Sequence, residues 1–403
     1  MSTEPRTLLT YIAAIGIISV AVLVLTSEQP SRDVAGEISD TAQIAGVVSK
    51  YEPALQESSI PEKQEVVSPA DVQSPQEEPS AEISAASAAS LPSSAAQNTT
   101  ASVVRIQNPY PTPPLSFLTV NENTRLALVN ILCIPEAGTL QPTSGSGAII
   151  DSRGVILTNA HVAQYVLLAE SGRTNLSCVI RSGAPAETLW SANVLYIPPV
   201  WIQNHAADIT NESPTGTGEH DYALLQIVPL PEAKQFPAPP AGGFPALPID
   251  IREGVGFPGD PVLAASYPAE FVGPRATQFN LHPASTITSV KRLMTFDADT
   301  VDMLSLGGVP EAQSGSSGGP IVNAWGHLIG IITTTSEGVT TADRELRALT
   351  LSYIDRDLQE QTGLDIAAFL ANDIAALEAN FRMKHVDTLT ELLISEIAKR
   401  QYR

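Results

Sequence analysis

From Leu126 onward the sequence is a succession of short apolar runs, each of strand length and each bounded by Gly, Pro, Ser or Asn. They read LALVNILCI, SGSGAIID, GVILTNAHV, ANVLYI, DYALLQIV, DPVLAASY, GPIVNAWG, HLIGIITTT and LRALTLSYI. Most are rich in β-branched residues and too short for helices. A chain built this way has to close many short strands on one another, in a sandwich or a barrel. The first three form a meander whose turns are written out as SGSG and DSRG. The stretch Pro237 to Pro248, PAPPAGGFPALP, interrupts the pattern and divides a first β-unit from a second that runs to about Ile354. Helical spacing appears only afterwards. Ile366, Leu370, Ile374, Leu377 and Phe381 share one face, and Leu389, Leu393 and Ile397 continue it. Gly363 separates this tail from a short helix around Arg356–Gln361. The tail is expected to pack its apolar face on the β-units.

The N-terminal quarter is different. Leu8 to Leu25, LLTYIAAIGIISVAVLVL, carries no charge and reaches the lower end of bilayer-spanning length. No small-residue cleavage site follows in TSEQPSR, which favours an uncleaved membrane anchor over a signal peptide. Arg6 and Arg32 flank the segment evenly, so positive charge does not orient it. Either reading exports the rest of the chain. From Thr26 to about Pro114 the composition turns to Ser, Ala, Pro, Glu and Gln, with almost no aromatics between Tyr51 and Tyr110. Such a segment buries too little apolar surface to offset its ordering entropy and is expected to be a disordered linker. The divisions are then a tail at 1–7, an anchor at 8–25, a linker at 26–114, a β-domain at 115–355 and a helical extension at 356–403.

The formal net charge is −21, from 22 Lys+Arg against 43 Asp+Glu. With no Lys/Arg cluster visible, the acidic balance argues against nucleic acid as a partner, because phosphate binding needs basic patches. The two cysteines, Cys133 and Cys178, lie in strand-like runs on either side of His161. They are not in C-x-x-C spacing, which sets aside zinc and a thioredoxin-like motif. Free thiols and a disulfide both remain open, the second favoured by export. No metal and no cofactor is expected.

Three short motifs carry chemistry. TNAHV places His161 at the end of a strand, HDYALLQI puts Asp221 before an apolar strand, and GSSGGP sets Ser317 among small residues. Singly, each has an ordinary structural reading. Together they supply what a serine hydroxyl needs to attack a carbonyl: an adjacent base that titrates near neutrality and a carboxylate that fixes the tautomer of that base. The glycines around Ser317 let successive N–H groups converge into an oxyanion hole, with Gly315 and Ser317 as donors. Asp208 and Asp250 are rival acids; Asp221 is preferred because it opens the strand. Gly315–Gly319 also fits the G-x-S-x-G of α/β-hydrolases, but the order His, Asp, Ser is not theirs.

The segments SGSGAIIDSRGVILTNAHV, DYALLQI and SGSSGGPIVNAWGHLIGI resemble those of trypsin-like serine peptidases, closest to the bacterial HtrA-like group, over about Thr124 to Ile354. The resemblance implies an all-β fold of two six-stranded antiparallel barrels with the active site between them. It makes 115–355 a peptidase domain and implies hydrolysis of protein or peptide substrates through an acyl-enzyme. His161 then matches the base, Asp221 the orienting acid, Ser317 the nucleophile and Gly315 an oxyanion donor. Glu311 falls where a trypsin keeps the acid that selects Lys or Arg, although the more ordinary reading has it facing solvent. Thr333, Thr334 and Thr335 fall on the strand edge that pairs with extended substrate. Ser316 replaces the Asp that pairs with a freshly cut N-terminus in pancreatic-type enzymes, so activation of that kind is not expected. No PDZ-like segment is expected after Ile354. A silent binding module on the same fold, and an esterase using the same three residues, are the competing readings.

Overall fold

The computed structural model describes residues 97–98, 103–136, 140–211, 216–230, 241–296, 299–335 and 344–401. The expected anchor, Leu8 to Leu25, and most of the expected linker lie outside the described residues. Among the described residues, no helix is long and apolar enough to cross a membrane.

The first β-unit opens with helix α1 (Phe117–Ala127), which starts where the Ser116 hydroxyl accepts the Thr119 N–H. Strands β1 (Leu128–Pro135), β2 (Thr143–Asp151) and β3 (Val155–Thr158) form the expected meander. Helix α2 (Ala160–Glu170) follows, then β4 (Leu176–Ser182) and β5 (Glu187–Tyr196). Helix α3 (Pro199–His205) and a 3₁₀ turn (Ala206–Thr210) lead to β6 (Ala223–Val228). The six strands close into an antiparallel barrel in the order β1-β2-β3-β6-β5-β4. Ile131, Ile156, Ile180 and Leu225 belong to its core, none more than 1% exposed. Cys133 and Cys178 stand directly opposite each other on β1 and β4 and are joined as a disulfide.

The second unit holds β7 (Pro261–Ser266), a short helix α4 (Pro274–Phe279), β8 (Ala284–Ser289), β9 (Arg292–Thr295), β10 (Met303–Gly307), β11 (Pro320–Asn323), β12 (Leu328–Thr335) and β13 (Leu346–Thr350). The expectation of two six-stranded antiparallel barrels is met by the first unit and only in part by the second. With the edge pair Gln97–Asn98, this sheet has eight strands and stays open, in the order Gln97–Asn98, β9, β10, β13, β12, β11, β7, β8. The outer edge of β9 is taken by Gln97–Asn98, which pair with Thr295 and Met294, and β8 pairs with β7 alone among the described residues. The sheet still curls around its own core of Val262, Leu304, Ile321, Ile329 and Leu346.

The C-terminal tail is helical, as its spacing indicates, but starts earlier and is more broken. Helix α5 (Leu351–Thr362) begins at Thr350, whose hydroxyl accepts the Tyr353 N–H, and ends at Gly363 in the left-handed region. Asp373 caps a new start and divides α6 (Ile366–Ala371) from α7 (Ile374–Phe381), so the shared face falls on two helices. A π-turn (Arg382–Val386) joins α7 to α8 (Asp387–Gln401). The expected boundary at residue 355 therefore falls inside α5.

The linker expectation is also too long at its C-terminal end. Ile106 N–H bonds to Gly254 O, the Tyr110 ring stacks on His327 with centroids 4.2 Å apart, and Trp325 Nε1 donates to Thr112 O at 2.8 Å. An aromatic ring and a run of backbone acceptors tie this stretch to the second unit.

Candidate active site

His161 is not at the end of a strand but in the first turn of α2, because the chain turns from β3 into helix at Asn159. Asn159 sits at the N-cap position, yet its amide does not cap the helix; Nδ2 donates to the Asp221 carbonyl at 2.8 Å. Asp221 lies just before β6 and is 4% exposed. Its carboxylate accepts three hydrogen bonds. The backbone N–H of His161 reaches Oδ1 at 2.9 Å, His161 Nδ1 reaches Oδ2 at 2.8 Å, and the Thr333 hydroxyl reaches Oδ2 at 2.9 Å. An ionised carboxylate only accepts, so Nδ1 carries the proton and Nε2 is left as the basic nitrogen.

Burial alone pushes the His161 imidazole down, but the charge and hydrogen bond of Asp221 more than reverse this, and its pKa stands above the ordinary 6.5. Burial pushes Asp221 up, while the imidazolium and the donors from His161 and Thr333 hold it below the usual carboxylate value. The other two acids are engaged elsewhere. Asp250 is bound by Arg252 at 2.6 Å, and Asp208 by His205 at 3.2 Å.

Ser317 belongs to a loop, residues 313–319, with no regular element of its own, and almost every carbonyl in that loop is tied down. Gln313 O accepts from Ser316 N–H, Ser314 O from Ala269 N–H at 2.8 Å, and Ser316 O from Gly319 N–H at 2.9 Å. Ser317 O accepts Ser146 N–H at 2.7 Å, and Gly315 O accepts the Ser146 hydroxyl at 2.7 Å. In a trans peptide the N–H points opposite its carbonyl. Tying Ser314 O and Ser316 O therefore fixes the direction of the Gly315 and Ser317 N–H groups. Neither N–H finds an acceptor among the described residues, and both residues line a cavity of about 810 Å³. Gly315, with φ +93°, and Gly318, with φ +83°, adopt backbone that side chains resist, and a Cβ at Gly318 would collide with Ser146 O.

The same cavity is lined by His161, Asp221 and Thr333, so the structure brings together the five residues His161, Asp221, Gly315, Ser317 and Thr333. No hydrogen bond joins the imidazole to the Ser317 hydroxyl among the described residues; in sites without bound substrate that bond is commonly long and tightens on binding. Glu311 does not line the cavity. It is fully buried rather than facing solvent, with Oε1 accepting the Thr286 hydroxyl at 2.8 Å, and burial raises its pKa. Thr334 and Thr335 continue β12 beyond Thr333. Ser316 is buried too, its hydroxyl 3.0 Å from that of Ser266.

Sequence reasoning missed three contributors. Ser146 was visible only as part of a turn-rich SGSG, where small residues look interchangeable. Asn159 and His220 were passed over beside their more telling neighbours. His220, one residue before Asp221, bonds through Nδ1 to Asp357 on α5 at 2.8 Å and through its N–H to the Tyr353 hydroxyl at 2.9 Å, so the C-terminal helix braces the loop that carries the acid.

Residues 145–331 match the family model of the trypsin-like peptidase domain. No curated protein matches the chain. Among solved structures, a serine endoprotease from Yersinia pestis is similar at 19% identity and a TM-score of 0.38, covering 62% of this chain and 68% of that one. The family match runs from the glycine-rich strand ahead of His161 to the strand beyond Ser317, and over that span the chain is similar to the trypsin-like peptidase domain.

Proposed function

We propose that Ser317 is the nucleophile, His161 the general base and Asp221 the acid that orients it, in hydrolysis of peptide bonds through an acyl-enzyme. The observation that carries this reading is the clamped His161–Asp221 pair facing the same cavity as Ser317. A substrate carbonyl entering the cavity would be attacked by the Ser317 oxygen while Nε2 takes the hydroxyl proton. The negative charge that develops on the carbonyl oxygen would meet the Gly315 and Ser317 N–H groups, already aimed before substrate arrives. The imidazolium, stabilised by Asp221, returns its proton to the leaving amine, and water then releases the acyl group by the reverse roles. The edge of β12 at Thr333, Thr334 and Thr335 offers backbone for pairing with an extended substrate.

The same reading holds the catalytic domain outside the cytoplasm, through Leu8 to Leu25 as an uncleaved anchor and residues that follow as a spacer. The Cys133–Cys178 disulfide supports it, since such bonds persist in oxidising compartments. Cleavage of a peptide library by the full-length protein and by Ser317→Ala tests the catalytic assignment. The variant should lose about 10⁶ in kcat, by analogy with measured triads. Equal cleavage by both proteins would remove Ser317 from the mechanism. Measuring kcat/KM on matched peptides and esters separates a peptidase from an esterase.

A further inference from the structure

The C-terminal helices do more than cover the barrel. Helix α8 buries Leu389 and Leu393 against the first unit and packs on the 3₁₀ turn Ala206–Thr210. That turn and α3 make one wall of the catalytic cavity, in which the Trp201 and His205 rings stack with centroids 4.9 Å apart. The last turn of α8 delivers Arg400 to the same cavity. Arg400 is exposed and makes no hydrogen bond or ion pair among the described residues. The two carboxylates that also line the cavity are both engaged: Asp221 lies beneath His161, and Asp208 holds His205.

We infer that Arg400 is a substrate-binding residue that selects an acidic side chain at a subsite removed from the scissile bond. This rests on the cavity being the catalytic one, as proposed above. A guanidinium presents a planar fork that matches a carboxylate in two parallel hydrogen bonds. Set against cavity walls that keep bulk water from one side, the pair is screened less than on open surface. The chain is strongly acidic overall, so a lone cation at the cavity does not belong to a general basic surface. The helical extension thereby contributes a specificity determinant that the two β-units do not contain.

The test is cleavage-site profiling of one peptide library with the full-length wild type, Arg400→Ala and Arg400→Glu, and with Ser317→Ala as control. The wild type should favour Asp or Glu at one fixed position by about tenfold in kcat/KM, a gain in the range of a partly desolvated charge pair. Arg400→Ala should flatten that preference, and Arg400→Glu should turn it towards Lys or Arg at the same position. Activity that vanishes in Ser317→Ala, together with an acidic preference unchanged in both Arg400 variants, would overturn this assignment and leave the catalytic one standing. A wild-type preference for Lys or Arg at that position, lost in Asp208→Asn, would overturn it in favour of Asp208. Cleavage that persists in Ser317→Ala would instead defeat the catalytic reading beneath it.

Discussion

The two β-units hold the proposed catalytic groups in different ways. In the closed barrel, His161 and Asp221 are placed by regular backbone: the first turn of α2 and the mouth of β6, with a disulfide across β1 and β4. In the open sheet, Ser317 sits on a loop whose peptide planes are fixed one by one, partly by residues of other segments such as Ser146 and Ala269. Glu270 adds to this, accepting Ser314 N–H at 3.1 Å while paired with Arg344. The proposed base and acid therefore depend mainly on secondary structure, with Thr333 from β12 as an added donor to Asp221. The proposed oxyanion donors depend on contacts that reach across the chain, and small side chains far from Ser317 in sequence should control them.

Disabling the locally held pair should have the largest effect. Asp221→Asn keeps the shape but loses the charge and the tautomer, and kcat should fall by about 10⁴; a loss below tenfold would point to another acid. Next comes the disulfide. Closing a loop with a sequence separation of 45 removes unfolded-state entropy worth about 4 kcal/mol in the chain-entropy account. Replacing Cys133 and Cys178 by Ser should lower the denaturation midpoint accordingly, with kcat of the folded fraction retained. An unchanged midpoint would show that the barrel stands without the bridge.

The contacts between segments are tested by Ser146→Ala. It frees Gly315 O but keeps the Ser146 N–H bond to Ser317 O, so the loop stays in place with its donors less well aimed. A fall in kcat of about 10- to 100-fold with KM little changed is expected, less than complete loss of a donor. An unchanged kcat would show that the loop holds its own shape.

The smallest effect is a shift in pH dependence. His161 must be neutral to act as base, and Asp221 raises its pKa above 6.5, so kcat/KM should climb with pH through a midpoint above that value. In Asp221→Asn the midpoint should move down, because burial then acts without the opposing charge. The sign for stability is the reverse. The folded state binds this proton more tightly than the unfolded one, so the pair contributes most below about pH 6.5 and fades as pH rises through the folded value.

The β-rich units, and three motif residues that the structure brings to one cavity, were legible in the sequence because they rest on local signals. Strand-length apolar runs bounded by turn residues gave the β-units, and three motifs in a fixed order gave His161, Asp221 and Ser317. The open second sheet was not legible, because the outer edge of β9 pairs with Gln97–Asn98, far away in the sequence. The break at Asp373 was signalled by a capping residue that the apolar spacing of Ile366 to Phe381 overrode. The burial of Glu311 was hidden because counting from Ser317 fixes a position in the chain and not the direction of a side chain. Ser146 and Arg400 are separated from Ser317 by long stretches of chain, and no local pattern ties Ser146 to the Ser317 loop or Arg400 to the cavity.

The most direct measurement is covalent labelling by a fluorophosphonate, with the modified residue mapped by mass spectrometry. The adduct should fall on Ser317 alone, and its rate should collapse in His161→Ala while the disulfide and the fold remain intact. An adduct on another serine, or labelling of Ser317 at an unchanged rate without the imidazole, would contradict a nucleophile activated by His161.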